Sequence, residues 1–178
     1  MSFRFFLLLH VQLCLFSQLP GEVLEKQAWE KTSPQSLEDL REIQSQLQSL
    51  LPEAEKSVVS IETGDGAGSG VIISPEGLVL TAAHVIGSSD KKMTVRLPNG
   101  ERLPAISLGG SELSDAGMLK ITQSGSWPFA KMAPRGSVSL GDWCFGLGHP
   151  GGYDEERGIV VRIGRVIGNK NETMQTDS

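Results

Sequence analysis

Basic clusters are what this chain most obviously lacks. Its 16 Lys and Arg are scattered among 21 Asp and Glu, giving a formal net charge of −5. A phosphate backbone meets no positive face, so nucleic acid is not an expected partner. Cysteine is scarce: Cys14 lies in the N-terminal apolar stretch, and loss of that stretch would leave Cys144 alone, which excludes an intrachain disulfide. The same loss leaves His84 and His149, neither at ligand spacing with another His or Cys, so no metal is expected. The glycine-rich run "GDGAGSG" contains no Gly-x-Gly-x-x-Gly, is not followed by Gly-Lys-Ser/Thr, and leads into a strand rather than a helix. No helix N-terminus is there to hold a phosphate. The run reads as a flexible turn, and no cofactor is implied. Internal repeats and low-complexity tracts are absent as well.

Long apolar runs are also missing. "MSFRFFLLLHVQLCLF" has one Arg near its start and an apolar stretch broken by His10 and Gln12, too short to span a bilayer comfortably, with polar "SQLPGE" after it. Residues 1–20 therefore resemble a secretory signal peptide, which predicts an exported protein, periplasmic or secreted. A signal anchor that stays in the membrane is the competing reading. Cleavage would remove Arg4 and take the net charge from −5 to about −6, one positive charge fewer. The sequon Asn171-Glu172-Thr173 reads as chance.

What the chain does have falls into two textures. Residues 21–56 are acidic and polar, and "SLEDLREIQSQLQSLL" within them predicts a helix. Ser36 and Asp39 are placed for a capping box, and Pro52 marks the expected end. Leu40, Ile43, Leu47 and Leu50 form an apolar stripe. A helix laying one face on its own domain is the better reading of so short a run; a coiled coil is the other. From Ser57 onward, short β-branched runs alternate with Gly, Pro and Asn: "SVVSIET", "SGVIIS", "GLVLTAA", "MTVRL", "ERLPAIS", "AGMLKI", "DWCFGLG" and "GIVVRIGRVIG". "SPEGL" and "LPNGE" are turn signals, the second with Asn99-Gly100 for a tight hairpin. The 21 Gly against 9 Pro suit the same reading. The fold class is all-β, an antiparallel barrel or sandwich.

One stretch carries chemistry. His84 stands in Thr81-Ala82-Ala83-His84-Val85, after an apolar strand and behind Gly68-Ser69-Gly70. Further on come "SDAGMLKI", "GDWCFGLGHPGG" and "GIVVRIGRVIG". These four blocks, in this order, resemble the trypsin-fold serine proteases, most closely the HtrA/DegP-like branch, over residues 57–178. The resemblance implies a double β-barrel preceded by a short helix, with protein or peptide substrates and a homo-oligomer, by analogy a trimer. It assigns His84 as the general base and Asp115 as the acid that orients it; alone, Asp115 would read as an Asx turn. In such a triad the imidazole takes a serine proton and returns it to the leaving amine, a task suited to a group neutral near physiological pH. Gly117 stands where the family usually has Ala, and Ala116 where it often has Leu, which predicts looser packing beneath the aspartate.

The family's strand before the nucleophile commonly reads "QTD", with Gly-Asn-Ser-Gly-Gly a short loop later. Gln175-Thr176-Asp177-Ser178 matches that lead-in, and the sequence stops there. Ser69 belongs to the block before His84, and Ser178 has no glycines after it, so neither is assigned as the nucleophile. The expectation is a complete first barrel, an incomplete second one, and no peptide hydrolysis by these 178 residues alone. The rival function is a non-catalytic module that takes up a peptide or partner by strand addition.

Overall fold

A computed structural model of the chain describes residues 26–64, 66–170 and 173–178. The signal segment expected over 1–20 lies outside them, as does Asn171 of the sequon. Among the described residues, no helix is long and apolar enough to cross a membrane.

The acidic segment opens with a single 3-10 turn, Ala28–Glu30, and then forms α1, Leu37–Glu55. Ser36 caps α1: its hydroxyl accepts from Asp39 N at 3.1 Å. The reciprocal half of the box goes elsewhere, since the Asp39 carboxylate accepts from Gln35 N at 2.8 Å and Lys31 Nζ at 2.7 Å. That lysine, with the Gln35 amide, holds the Asp39 pKa below the usual carboxylate value. Pro52 lies inside the helix and does not end it. Proline costs a helix one hydrogen bond, and the last turn survives that loss, with Lys56 paired to Glu53 and the Ser57 hydroxyl on Ala54 O. Ile43 is buried while Leu37 and Leu40 are exposed, so the inward stripe is narrower than the spacing suggested.

Six strands then close into a barrel in the order β1-β2-β3-β6-β5-β4. They are β1 Val58–Thr63, β2 Gly66–Ile72, β3 Leu78–Ala82, β4 Lys92–Arg96, β5 Arg102–Ser111 and β6 Ala116–Ile121. The run read as a flexible turn is mostly strand: Gly66, Ala67, Gly68, Ser69 and Gly70 all pair with β1. Space explains the glycines better than flexibility. A Cβ at Gly70 would stand 2.7 Å from Val79 Cγ1 and 2.8 Å from Ile61 Cδ1, and one at Gly68 would stand 2.7 Å from Val85 Cγ1. The β4–β5 turn follows its residues more simply. Gly100 takes φ +84° and donates to Leu97 O, and Asn99 Oδ1 accepts from Glu101 N, a short hairpin with glycine at the left-handed position. Inside the barrel, Val59, Ile61, Ile72, Val79, Val95, Leu103, Leu119 and Ile121 are fully buried.

Beyond the barrel, β7 Trp143–Gly148, β8 Val160–Lys170 and β9 Thr173–Thr176 form an open antiparallel sheet. The architecture is therefore all-β: one closed barrel and part of a second. The Gly146-Leu147-Gly148-His149-Pro150-Gly151 stretch has phosphate-loop spacing, yet it joins two antiparallel strands and meets no helix. Several contacts tie the parts together, among them the Tyr153 hydroxyl donating to Pro98 O at 3.4 Å and Arg96 stacking on the Tyr153 ring. His149 N donates to Ser69 Oγ at 2.8 Å, and Arg165 donates to Lys31 O at 3.2 Å while stacking on the Trp143 ring.

Candidate active site

β3 and β6 are neighbours, with Ala82 opposite Ala116. The residue after β3 and the residue before β6 therefore meet at one rim of the barrel. On the β3 side the chain makes a single helical turn, α2, Ala83–Ile86, which carries His84. On the β6 side stands Asp115 with φ +49°, a left-handed conformation uncommon outside glycine, asparagine and aspartate. That twist lets one residue face α2 with both main chain and side chain. Asp115 O accepts from Ala83 N at 3.0 Å, and Asp115 Oδ1 accepts from His84 N at 3.1 Å.

The carboxylate also meets the ring. His84 Nδ1 lies 2.8 Å from Asp115 Oδ2 and 3.0 Å from Oδ1. An ionised carboxylate can only accept, so Nδ1 carries the shared proton and Nε2 is left with its lone pair outward. The His84 backbone N–H, and after it the imidazole, hold the Asp115 pKa below the usual carboxylate value. Asp115 thus stays an acceptor well into acid. The side chains are 73% and 53% exposed, so the pair is a surface feature whose value is orientation rather than stability.

A cleft of about 720 Å³ opens beside the pair, walled by Ser88, Ser89, Leu108, Gly109 and Glu112. Ser88 and Ser89 follow α2 directly, whereas Leu108 and Gly109 belong to the end of β5 and Glu112 to the loop after it, and nothing in the local pattern of those three marked them as neighbours of His84. Neither serine weighed as a nucleophile has an idle hydroxyl: Ser69 Oγ is taken by His149 N, and Ser178 Oγ is 2.8 Å from Thr176 Oγ1.

The packing expected to be loose is close. Gly117 is buried, and a Cβ there would fall 2.6 Å from Ile86 Cδ1, because that isoleucine fills the space an alanine methyl would need.

Comparison with known proteins gives a consistent set. Residues 68–178 match the trypsin-like peptidase domain. A protein named as a DegP-like periplasmic serine endoprotease from Pseudomonas savastanoi pv. phaseolicola is 37% identical over 114 residues, covering 62% of this chain and 23% of that one. A DegP-like counterpart from Hahella chejuensis is 32% identical over 120 residues, 65% of this chain and 25% of its own. A protein named as the serine protease HhoA from Synechocystis sp. is 33% identical over 122 residues, 64% of this chain and 31% of its own. The chain thus spans between about a quarter and a third of the length of these relatives.

Proposed function

The chain belongs to the trypsin-like peptidase family, in its HtrA/DegP-like branch, and on that footing we propose that it carries the base-and-acid half of an exported serine endopeptidase acting on protein substrates. The hydrogen bond from His84 Nδ1 to Asp115 carries this reading. With that bond fixed, Nε2 is the atom that takes the proton of an attacking hydroxyl and delivers it to the leaving amine. Asp115 holds the ring in that tautomer and stabilises the imidazolium that forms. The protease domain runs over residues 57–178, behind the acidic helical segment and a signal over residues 1–20.

No Gly-Asn-Ser-Gly-Gly occurs in the 178 residues. The donors that would hold the oxyanion lie around that nucleophile, and losing even one such donor costs about 10²–10³ in rate. The 178-residue chain alone is therefore inert toward peptides. A serine-directed fluorophosphonate probe is expected to leave it unlabelled, and stoichiometric labelling would overturn that statement.

The dyad itself is tested on the same chain. In Asp115→Asn, the His84 backbone N–H keeps the amide oxygen where Oδ1 was, which turns the NH₂ toward Nδ1. The neutral ring must then carry its proton on Nε2. Long-range ¹H–¹⁵N spectra at alkaline pH should report the Nδ1–H form in the wild type and the Nε2–H form in Asp115→Asn. An identical tautomer in both would sink the dyad.

A second reading, a non-catalytic module that adds a peptide strand, draws on the open sheet, where Ile163, Ile167 and Met174 are exposed and no other described strand pairs with β7 or β9. Saturable binding of extended peptides that survives Asp115→Asn and His84→Ala unchanged would favour it.

A further inference from the structure

The turn that carries His84 cannot hold itself in place. α2 is four residues long, and its end is closed by Gly87 N donating to Ala83 O at 2.9 Å. So short a turn is unstable on its own. Its position comes from what lies beneath it: Ala83 and Ile86 are buried, with 7% and 1% of their surface exposed. Two glycines face them, Gly110 of β5 and Gly117 of β6, directly opposite each other in the ladder. A Cβ at Gly110 would lie 2.7 Å from Ala116 O and 2.8 Å from Ala83 Cβ; one at Gly117 would lie 2.6 Å from Ile86 Cδ1 and 3.1 Å from Ala83 Cα. Neither glycine is in the left-handed region, so any residue could adopt its backbone. Space, not conformation, is what an added methyl lacks.

Resting on the dyad reading above, we infer that Gly117 and Ile86 are an interlocked pair of positioning residues for His84. The Ile86 δ-methyl drops into the place a side chain at position 117 would fill. That contact sets how deeply α2 sits on β5 and β6, and so whether the Ala83 and His84 amides reach Asp115 O and Oδ1. Gly110 completes the floor beneath Ala83. Neither Gly117 nor Ile86 touches the reacting atoms; both act through the register of the turn.

The test is a double-mutant cycle on the full 178-residue chain, read by the His84 tautomer from imidazole ¹⁵N shifts and by urea denaturation. Gly117→Ala should lift the turn and lower the ratio of Nδ1–H to Nε2–H form by about five- to tenfold, the change that a coupling of usual size between touching residues produces. Ile86→Val removes the δ-methyl that stands 2.6 Å from the new Cβ, and the shortened side chain can turn its remaining γ carbon, which stands 2.9 Å from that Cβ in the wild type, out of the overlap. Alone it should leave the tautomer in place at a small cost in stability, and combined with Gly117→Ala it should restore the ratio to within about twofold of wild type. If Gly117→Ala does not fold, the double variant must recover both folding and the wild-type tautomer; a double variant as unfolded as the single one overturns the inference. It is equally overturned if Gly117→Ala folds with an unchanged tautomer while Asp115→Asn changes it. An unchanged tautomer in Asp115→Asn overturns the dyad instead, and with it any positioning role for the pair.

Discussion

Leu119→Ala is expected to destabilise the first barrel by about 2–5 kcal/mol, the usual cost of emptying a leucine site in a closed core. Leu119 is fully buried, stands opposite Val79 on one side and Ser107 on the other, and packs in the same cluster as Ile61, Ile72 and Leu103. A ring of six strands leaves few ways to collapse onto the gap, because each strand is fixed by two neighbours. The same ladder, β3 against β6, ends at Ala82 and Ala116, which flank the His84 turn and Asp115. The histidine–aspartate contact should therefore be lost in the same cooperative transition as the barrel. Leu113, wholly exposed on the loop before Asp115, is the matched control; Leu113→Ala should stay within about 0.5 kcal/mol of wild type. Urea denaturation of the three proteins decides, and a Leu119→Ala loss below about 1 kcal/mol would mean the barrel centre is not close-packed.

Mild acid should weaken the join between the two parts of the fold through His149. Its backbone N–H is held by Ser69, but neither ring nitrogen has a partner among the described residues, and 2% of its surface is exposed. Tyr153 lies against it at 5.7 Å between ring centroids, Arg157 stands on the same loop, and Arg96 of β4, paired with Glu62, stacks on that tyrosine. Burial pushes the His149 pKa below the ordinary histidine value, and the Arg157 charge pushes it further. The unfolded chain then binds a proton more readily than the folded one. Stability is accordingly complete above the unfolded pKa of about 6.5 and falls as pH drops from there through the lower folded pKa. Asp39, Asp115 and Asp154, each held below the usual carboxylate value by its hydrogen bonds, lose their contribution only in stronger acid, so the two windows separate. His149→Leu should flatten the profile of urea midpoints between about pH 5 and 7. Parallel profiles for wild type and variant would rule out His149 as the source.

How much of this was legible in the residues depends on whether the reason was local. "SVVSIET", "AGMLKI" and "DWCFGLG" became β1, β6 and β7 within a residue or so, because β-branched and aromatic side chains suit a half-buried pleat whatever their neighbours. The Gly66–Gly68 part of β2 and the Leu108–Ser111 end of β5 were not legible as strands. Gly68 and Gly110 are there because Val85 and the Ala83 of the His84 turn press on them, and those residues come from elsewhere in the chain. Gly117 failed for the same reason: its meaning depends on Ile86. Pro52 misled because helix-breaking is a tendency that one exposed turn can override. As for the site, His84 and Asp115 are separated by 31 positions, and no local pattern links them. Their pairing was legible through the family resemblance, while the left-handed backbone at Asp115 that brings the carboxylate to the ring was visible only in three dimensions.

The order of the ring, β1-β2-β3-β6-β5-β4, also has a meaning for synthesis. No rung of the closed barrel bridges a longer stretch of chain than the one from Leu78 to Lys120, and every rung is in hand once Ile121 has been made. Domains generally fold as units in the order they emerge from the ribosome. A chain delivered N-terminus first can thus close the structure that holds His84 against Asp115 before Trp143 and the strands after it are in place.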